Sequence, residues 1–450
     1  MPRKLILVVI DGLTPAALEH AIESGRAPTI AQLAEHGTYN RAVSSFPSLT
    51  PVCLSSLATG AHADVHEIPH LVWYHRGERR VVEYGSSFAA LRAAGFGRSV
   101  RDAIVEMNRS HLGAEAVTVF EALEDAGLTT AAVNFTCYRG RARHRATVPG
   151  FPATHGPKRF FYFNLYGSDV TGAPLAVRNR AAGTVDAYAA AVARWLVTRD
   201  GFDLFVYYLS DVDFASHLLG PESSDEALAR ADAAVSVLVE AAGGLDELLE
   251  RYSLVLCADH GQTSVEEAAR LEDRFGGVEG ALVTASNRAG QVYLLPACRS
   301  EPAELAARLD GAPEVGVVLY REGDEAVARR EGELLRFAPS ARDGGWDTGG
   351  DASILDHPDA FERAWAALAN PNAGELLVSA AAGWELADQA GRHHAGGGSH
   401  GSLEVGDSEV PMLAVGVDGE PAGIVDVAPL VLRHFGVEPP PYARPLAHAI

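Results

Sequence analysis

Long apolar runs, paired cysteines and positive charge are all scarce in this chain, and each scarcity narrows what it can be. No uninterrupted apolar stretch reaches the ~18 residues of a membrane-spanning helix, so no membrane partner is expected. The four cysteines, Cys53, Cys137, Cys257 and Cys298, lie far apart and form no C-x-x-C pair. A disulfide framework is therefore not expected, and a reducing, cytoplasmic setting is the simpler reading. The N-terminus, Met-Pro-Arg-Lys before six apolar residues, superficially mimics a secretory leader. Its run is too short, lacks a small-residue cleavage site and stops at Asp11, so a first β-strand fits better. Lys and Arg number 37 against 59 Asp and Glu, a formal charge of −22. Binding a nucleic-acid polymer through its phosphates needs a basic surface, so that class is not expected. Small anionic substrates are not, because local basic clusters and metals override the net field at short range.

The 450 residues, 47% hydrophobic and 21% charged, suit one large globular α/β domain with an insert. Strand-like runs alternate with helical patterns, the signature of a parallel sheet with crossover helices. Strands are expected at Leu5–Ile10, Leu128–Val133, Leu204–Leu209, Leu254–Ala258 and Met412–Val417. Helices are expected at Pro15–Glu23, Pro28–His36, Val117–Ala126, Val185–Leu196, within Ser224–Arg251, and at Ile424–Phe435. Between about 281 and 339 the pattern changes. Short strands (Gln291–Leu295, Val315–Leu319, Glu333–Phe337) flank a helical stretch, Glu301–Leu309. These residues read as a small inserted α/β subdomain, leaving 1–280 and 340–450 as the core. The Gly-rich stretches Gly344–Gly350 and Gly391–Gly401 read as loops.

Three of the buried strands end in acids. Leu5–Ile10 runs into Asp11-Gly12, Leu204–Leu209 stops just before Asp211, Asp213 and His217, and Leu254–Ala258 runs into Asp259-His260-Gly261. Carboxylates delivered at strand C-termini mark the active edge of an open α/β sheet. Carboxylate oxygen with neutral imidazole nitrogen is also what a hard or borderline divalent metal selects. On a helix, Asp213 and His217 share one face, about 5–6 Å apart at Cβ. Asp211 is a supporting acid or a decoy. His400 sits among glycines (Gly396-Gly397-Gly398-Ser399-His400-Gly401), as if the backbone must approach something closely; His393 and His394 read as solvated, with contact to substrate open to either. Thr50-Pro51 begins a helix, with Thr50 as its N-cap. The sharper reading is that the helix dipole and an adjacent metal turn the Thr50 hydroxyl into a nucleophile.

In their order, Asp11-Gly12, Thr50 through Thr59-Gly60 to His66, Asp213-x-x-x-His217, Asp259-His260-Gly261 and Ser399-His400-Gly401 resemble the type I phosphodiesterase/nucleotide pyrophosphatase family of the alkaline phosphatase superfamily. The resemblance implies an alkaline-phosphatase-like three-layer α/β sandwich with a mostly parallel central sheet. It also implies two divalent metals, usually Zn2+, with Mn2+ or Fe admissible. Asp213, His217 and His400 would hold one, and Asp11, Thr50, Asp259 and His260 the other. Thr50 would attack phosphorus and pass through a phospho-threonine. The expected substrate is a small anionic phosphoester. A phosphomonoesterase, a phosphonate C–P hydrolase, or a member that has lost its chemistry would keep the same site. No C-x-P-x-R segment offers the precursor of a sulfatase nucleophile.

One departure stands out. Many members carry an asparagine just after the nucleophile segment, donating to a phosphate oxygen. No asparagine occurs between Thr50 and Gly60; the nearest stand-in, Cys53, is a weak donor. Glu67 replaces the usual glycine after His66, which reads as a supporting residue. Further candidates for substrate recognition are Arg139, Arg141, Arg143 and His144, although ion pairing with the abundant acids would explain them equally. The aromatic run Phe160–Phe163 with Tyr166 reads as packing.

Overall fold

In the computed structural model, residues 2–167, 184–199, 201–341 and 345–443 are described. An eight-stranded sheet forms the centre. Numbered along the chain, its strands are β1 (Lys4–Ile10), β2 (Thr38–Val43), β3 (Thr130–Val133), β4 (Arg159–Tyr162), β5 (Tyr166–Gly167), β6 (Leu204–Leu209), β7 (Tyr252–Cys257) and β8 (Glu409–Val415). They lie in the order β2-β8-β7-β1-β6-β3-β4-β5. The five from β7 to β4 are parallel, and β2, β8 and β5 pair antiparallel at the margins. Every residue of β6 and β7 is buried. Strands covered on both faces need continuous Val/Leu/Ile runs, which is why these segments read so clearly.

Helices cover both faces. Pro15–Glu23, Pro28–Ala34, Val185–Arg199 and Asp225–Ala242 pack with one another on one side, and Thr50–Thr59, Val119–Asp125 and Val427–His434 on the other. The long helix expected within Ser224–Arg251 is two, Asp225–Ala242 and Leu245–Arg251, because Gly243 and Gly244 both take positive φ between them.

Register decides where the acids go. Ile10 pairs with Leu209, and Val9 with Cys257, so β1, β6 and β7 end side by side. Asp11, Asp213 and Asp259 therefore leave the sheet along one edge.

A second, seven-stranded antiparallel sheet begins at Ala281. Its order is Ala281–Ser286, Ala289–Leu294, Leu376–Ala380, Val315–Glu322, Glu325–Arg330, Glu333–Pro339 and Trp346–Gly350. Alternation splits its core: Val318 and Tyr320 pack with the helix Pro302–Leu309, whereas Val317 and Leu319 pack with the helix Ala360–Ala369. Two of its strands lie beyond residue 339, where the sequence pattern places the end of the insert. Trp346–Gly350 is an edge strand paired with Glu333–Pro339 rather than a loop, and Gly344 lies outside the described residues. The glycines hid it, since an edge strand needs backbone pairing but little side-chain packing.

The two sheets meet through a fully buried ion pair, Arg288 Nη1 to Asp407 Oδ1 at 2.9 Å. Asp407 also accepts from Ser402 N and Oγ. Removing one partner leaves a buried charge alone, so Arg288→Ala should cost about 3–5 kcal/mol, read from denaturant melts. A loss under 1 kcal/mol would show that water reaches the pair.

Candidate active site and metal centre

Two groups of potential ligands stand at the sheet edge: Asp213, His217 and His400; and Asp11, Asp259 and His260. Within each, the donor atoms lie within 4.8 Å of one another. The His260 and His400 rings stack at 3.7 Å between centroids, so the groups adjoin. Gly12 turns the chain at φ +67°, and a Cβ there would come within 3.0 Å of Asp213 Oδ1. Only glycine lets Asp11 sit against the second carboxylate.

Each imidazole is fixed in one tautomer. Nδ1 of His217 faces Gly398 O at 2.8 Å, that of His400 faces Ser48 O at 2.7 Å, and that of His260 faces Gly261 O at 3.0 Å. A carbonyl only accepts, so each Nδ1 carries the proton and each Nε2 offers a lone pair. The carboxylates are held as firmly. Tyr208 donates to Asp11 Oδ2, Gln262 Nε2 to Asp213 Oδ1, and the Gly12 and His260 amides to Asp259 Oδ1. Asp11 Oδ1 and Asp259 Oδ2 are left buried without a hydrogen-bond partner. Three oriented lone pairs beside buried, unsatisfied carboxylate oxygens are the donor set a divalent metal needs.

The electrostatics agree. Burial, then the Asp259 and Asp213 charges, pushes the Asp11 carboxyl well above its usual range. Burial also raises Asp259. Burial and the neighbouring His260 and His217 hold His400 well below the ordinary imidazole range, and burial lowers His217. Acids that resist ionising beside imidazoles that resist protonating make a site short of cationic charge.

Thr50 corrects one expectation. It opens the helix Thr50–Thr59, yet no side-chain cap bond is made there, and Leu49 occupies the cap position. Its Oγ1 instead lies 3.1 Å from His260 Nε2. A hydroxyl capping its own helix would be committed to the backbone; this one faces the ligands.

His394 corrects another. It is not simply solvated: Nδ1 lies 2.8 Å from the buried Glu385 carboxylate, and the ring lies 4.1 Å from that of His217. Burial depresses its pKa, but Glu385 outweighs it and the net shift is upward. Gly397 and Gly398 explain the glycine run. A Cβ at Gly397 would collide with the His217 carbonyl, and one at Gly398 would come within 2.7 Å of Ser216 O. Asp211 belongs to neither group, and its backbone N–H donates to Asp186 Oδ1.

The substrate candidates are not gathered in one place. Cys53 is buried, its thiol 3.2 Å from Ser44 Oγ. Arg139 bonds Glu121 and Arg141 bonds Glu121 and Asp125. Both line a cavity of about 500 Å3 with Glu67 and Arg109, to which none of the metal-centre residues contributes. Arg143 is exposed on the short strand Ala142–His144, and buried His144 faces Pro157 O through Nε2. Phe160, Tyr162 and Tyr166 form a small core with Tyr138. His66 is buried, its Nδ1 accepting from Ile68 N.

Sequence reasoning missed Tyr208, Gln262 and Asn287, whose Nδ2 lies 2.9 Å from His400 Nε2. Two carried a signal: Gln262 directly follows the Asp259-His260-Gly261 motif, and Tyr208 is a hydroxyl near the end of a buried strand. Tyr208→Phe should weaken metal binding about 10–100-fold, the usual consequence of losing a hydrogen bond to a ligand, as read by titration against a fluorescent zinc chelator. Unaltered affinity would remove Tyr208 from the centre.

The profile of the type I phosphodiesterase/nucleotide pyrophosphatase family matches residues 5–403. The chain belongs to that family, within the alkaline phosphatase superfamily. Its members are phosphoester hydrolases. Similar solved structures include murine ectonucleotide pyrophosphatase/phosphodiesterase 5, at 15% identity and TM-score 0.63, over 98% of this chain and 96% of that one. The same murine protein, as an inactive threonine-to-alanine variant in complex with AMP, gives TM-score 0.64. Phosphonoacetate hydrolase from Sinorhizobium meliloti, in complex with phosphonoformate, is 19% identical with TM-score 0.63, over 95% of this chain and 94% of that one. These likenesses establish the alkaline-phosphatase-like fold. No curated protein matches. No helix among the described residues is long and apolar enough to cross a membrane.

Proposed function

We propose that this member of the family hydrolyses small phosphate diesters or phosphoanhydrides, with Thr50 as nucleophile and two divalent metals, Zn2+ in our reading. The observation that carries the reading is Thr50 Oγ1 at 3.1 Å from His260 Nε2, where the two ligand groups adjoin. Asp213, His217 and His400 would hold one metal; Asp11, Asp259, His260 and Thr50 the other. Bound there, the metals would supply Lewis-acid stabilisation of negative charge on the reacting oxygens.

The remaining steps belong to the chain. The helix Thr50–Thr59 points its N-terminus toward developing charge at the hydroxyl. Thr50 Oγ1 forms a bond to phosphorus and gives up its proton to solvent, while the bond to the leaving-group oxygen breaks and that oxygen departs with the electron pair, taking up a proton from solvent. Water then attacks the phospho-threonine, releasing the phosphoryl product and restoring the hydroxyl. Tyr208 and Gln262 keep Asp11 and Asp213 oriented through both steps.

The test is a comparison on zinc-loaded protein: bis-p-nitrophenyl phosphate, p-nitrophenyl phosphate and phosphonoacetate under identical conditions. The diester should be turned over fastest, with activity lost on chelation and recovered with zinc. Faster turnover of the monoester or phosphonate would move the reading to those bonds, and no turnover with metal bound would refute it.

A further inference from the structure

We propose that Asn287 donates its side-chain amide to a nonbridging oxygen of the bound phosphoryl group, in place of the donor that the nucleophile segment lacks. The proposal rests on the phosphoester reading and adds a residue that the sequence motifs do not contain.

Asn287 comes from the second sheet, at the turn between Ala281–Ser286 and Ala289–Leu294. It takes φ +56°, a left-handed conformation in which asparagine is among the few tolerated side chains. Its side chain is buried, and its Nδ2 lies 2.9 Å from His400 Nε2. The orientation of the amide follows from His400. Nδ1 of that ring donates to Ser48 O, so Nε2 is an acceptor, and the group facing it must be the NH2. Ser286 Oγ, at 3.2 Å, donates to the amide oxygen and is the contact that keeps this orientation once the His400 lone pair is engaged elsewhere.

His400 Nε2 cannot accept from Asn287 and act as a metal ligand together, since it has one lone pair. Once that lone pair is engaged, a buried N–H is left beside the centre, and a buried donor needs another acceptor. The acceptor that the proposed chemistry brings to this place is a phosphoryl oxygen. The nucleophile segment offers no rival. It has no asparagine, and the Cys53 thiol is already placed against Ser44.

The test uses full-length protein loaded with zinc, inorganic phosphate as probe, and the variants Asn287→Gly and Asn287→Asp. Glycine keeps the left-handed turn while deleting the amide, so the fold is spared. Aspartate keeps the shape but sets a negative charge against the phosphate. Zinc content is measured by elemental analysis, phosphate affinity by calorimetry, and diester hydrolysis as kcat and KM. Both variants should hold the parent's zinc equivalents. Phosphate affinity should fall roughly 10- to 100-fold in Asn287→Gly, as for loss of a hydrogen bond to a charged group, and further in Asn287→Asp. Unchanged phosphate affinity in either variant overturns the proposal. So does loss of a zinc equivalent, which would assign Asn287 to holding His400 or the metal. If the parent binds phosphate and turns over diester while the variants match it, only the Asn287 assignment fails. A zinc-loaded parent that binds no phosphate sinks the phosphoester reading with it.

Discussion

Replacing Thr50 with alanine should lower diester turnover on the order of a thousandfold or more while leaving zinc content unchanged. Removing a nucleophile leaves only the acceleration that binding and electrostatics supply, which accounts for the size of the drop. The metals should stay because the carboxylates and imidazoles of both groups are untouched, and the hydroxyl is the weakest donor among them. Thr50→Ser keeps an Oγ at the same place and should retain measurable turnover. Rapid acid quench with labelled substrate should find phosphate on Thr50 in the parent and none in the alanine variant. Undiminished turnover by Thr50→Ala would remove the residue from the reaction.

Chelation should have the second-largest effect, and on stability as well as activity. A ligand present at a thousandfold over its Kd stabilises the native state by about 4 kcal/mol, and the centre offers two sites. Stripping both should lower Tm on the order of 10 °C, as read by scanning calorimetry. The protons involved can be named from their shifts. Burial and neighbouring acids raise Asp11, and burial raises Asp259, so in the metal-free centre these carboxyls hold their protons to higher pH than ordinary acids do. His400 and His217 are depressed, so their Nε2 atoms are already bare. Zinc binding should therefore release protons, seen as buffer-dependent heat in calorimetry. Affinity should weaken as pH falls through the raised carboxyl range. A binding heat independent of buffer would show that Asp11 and Asp259 are already ionised.

The six carboxylates and imidazoles that gather at the sheet edge were legible because each ends, or closely follows, a buried strand or sits in a glycine run, where packing alone gives no reason for an acid or an imidazole. The parallel strands were legible for the same reason: burial on both faces demands unbroken apolar runs, as in Leu204–Leu209. The antiparallel sheet was only half visible. Glu325–Arg330 alternates buried and exposed residues weakly, and Trp346–Gly350 carries almost no apolar side chains. The position of Asn287 could not be read at all. Its place beside His400 depends on pairings between Ala289–Leu294 and Leu376–Ala380, more than 80 residues apart along the chain. His394 was misjudged because its partner Glu385 gives no local pattern, only a contact made by folding. Arg139 and Arg141 drew attention as a cluster, but Glu121 and Asp125 absorb their charge.

The turn that carries Asn287 is riveted in place. Arg288 N bonds His400 O at 2.7 Å, Ala380 N bonds Arg288 O at 3.0 Å, and the Arg288 guanidinium grips Asp407. Ala380 belongs to the same sheet as the turn, so a jaw-like swing of the antiparallel sheet would have to break the other two, to His400 and Asp407, at once. The sheet therefore serves as a fixed wall, and substrate must arrive, and product depart, by a route that leaves that wall standing.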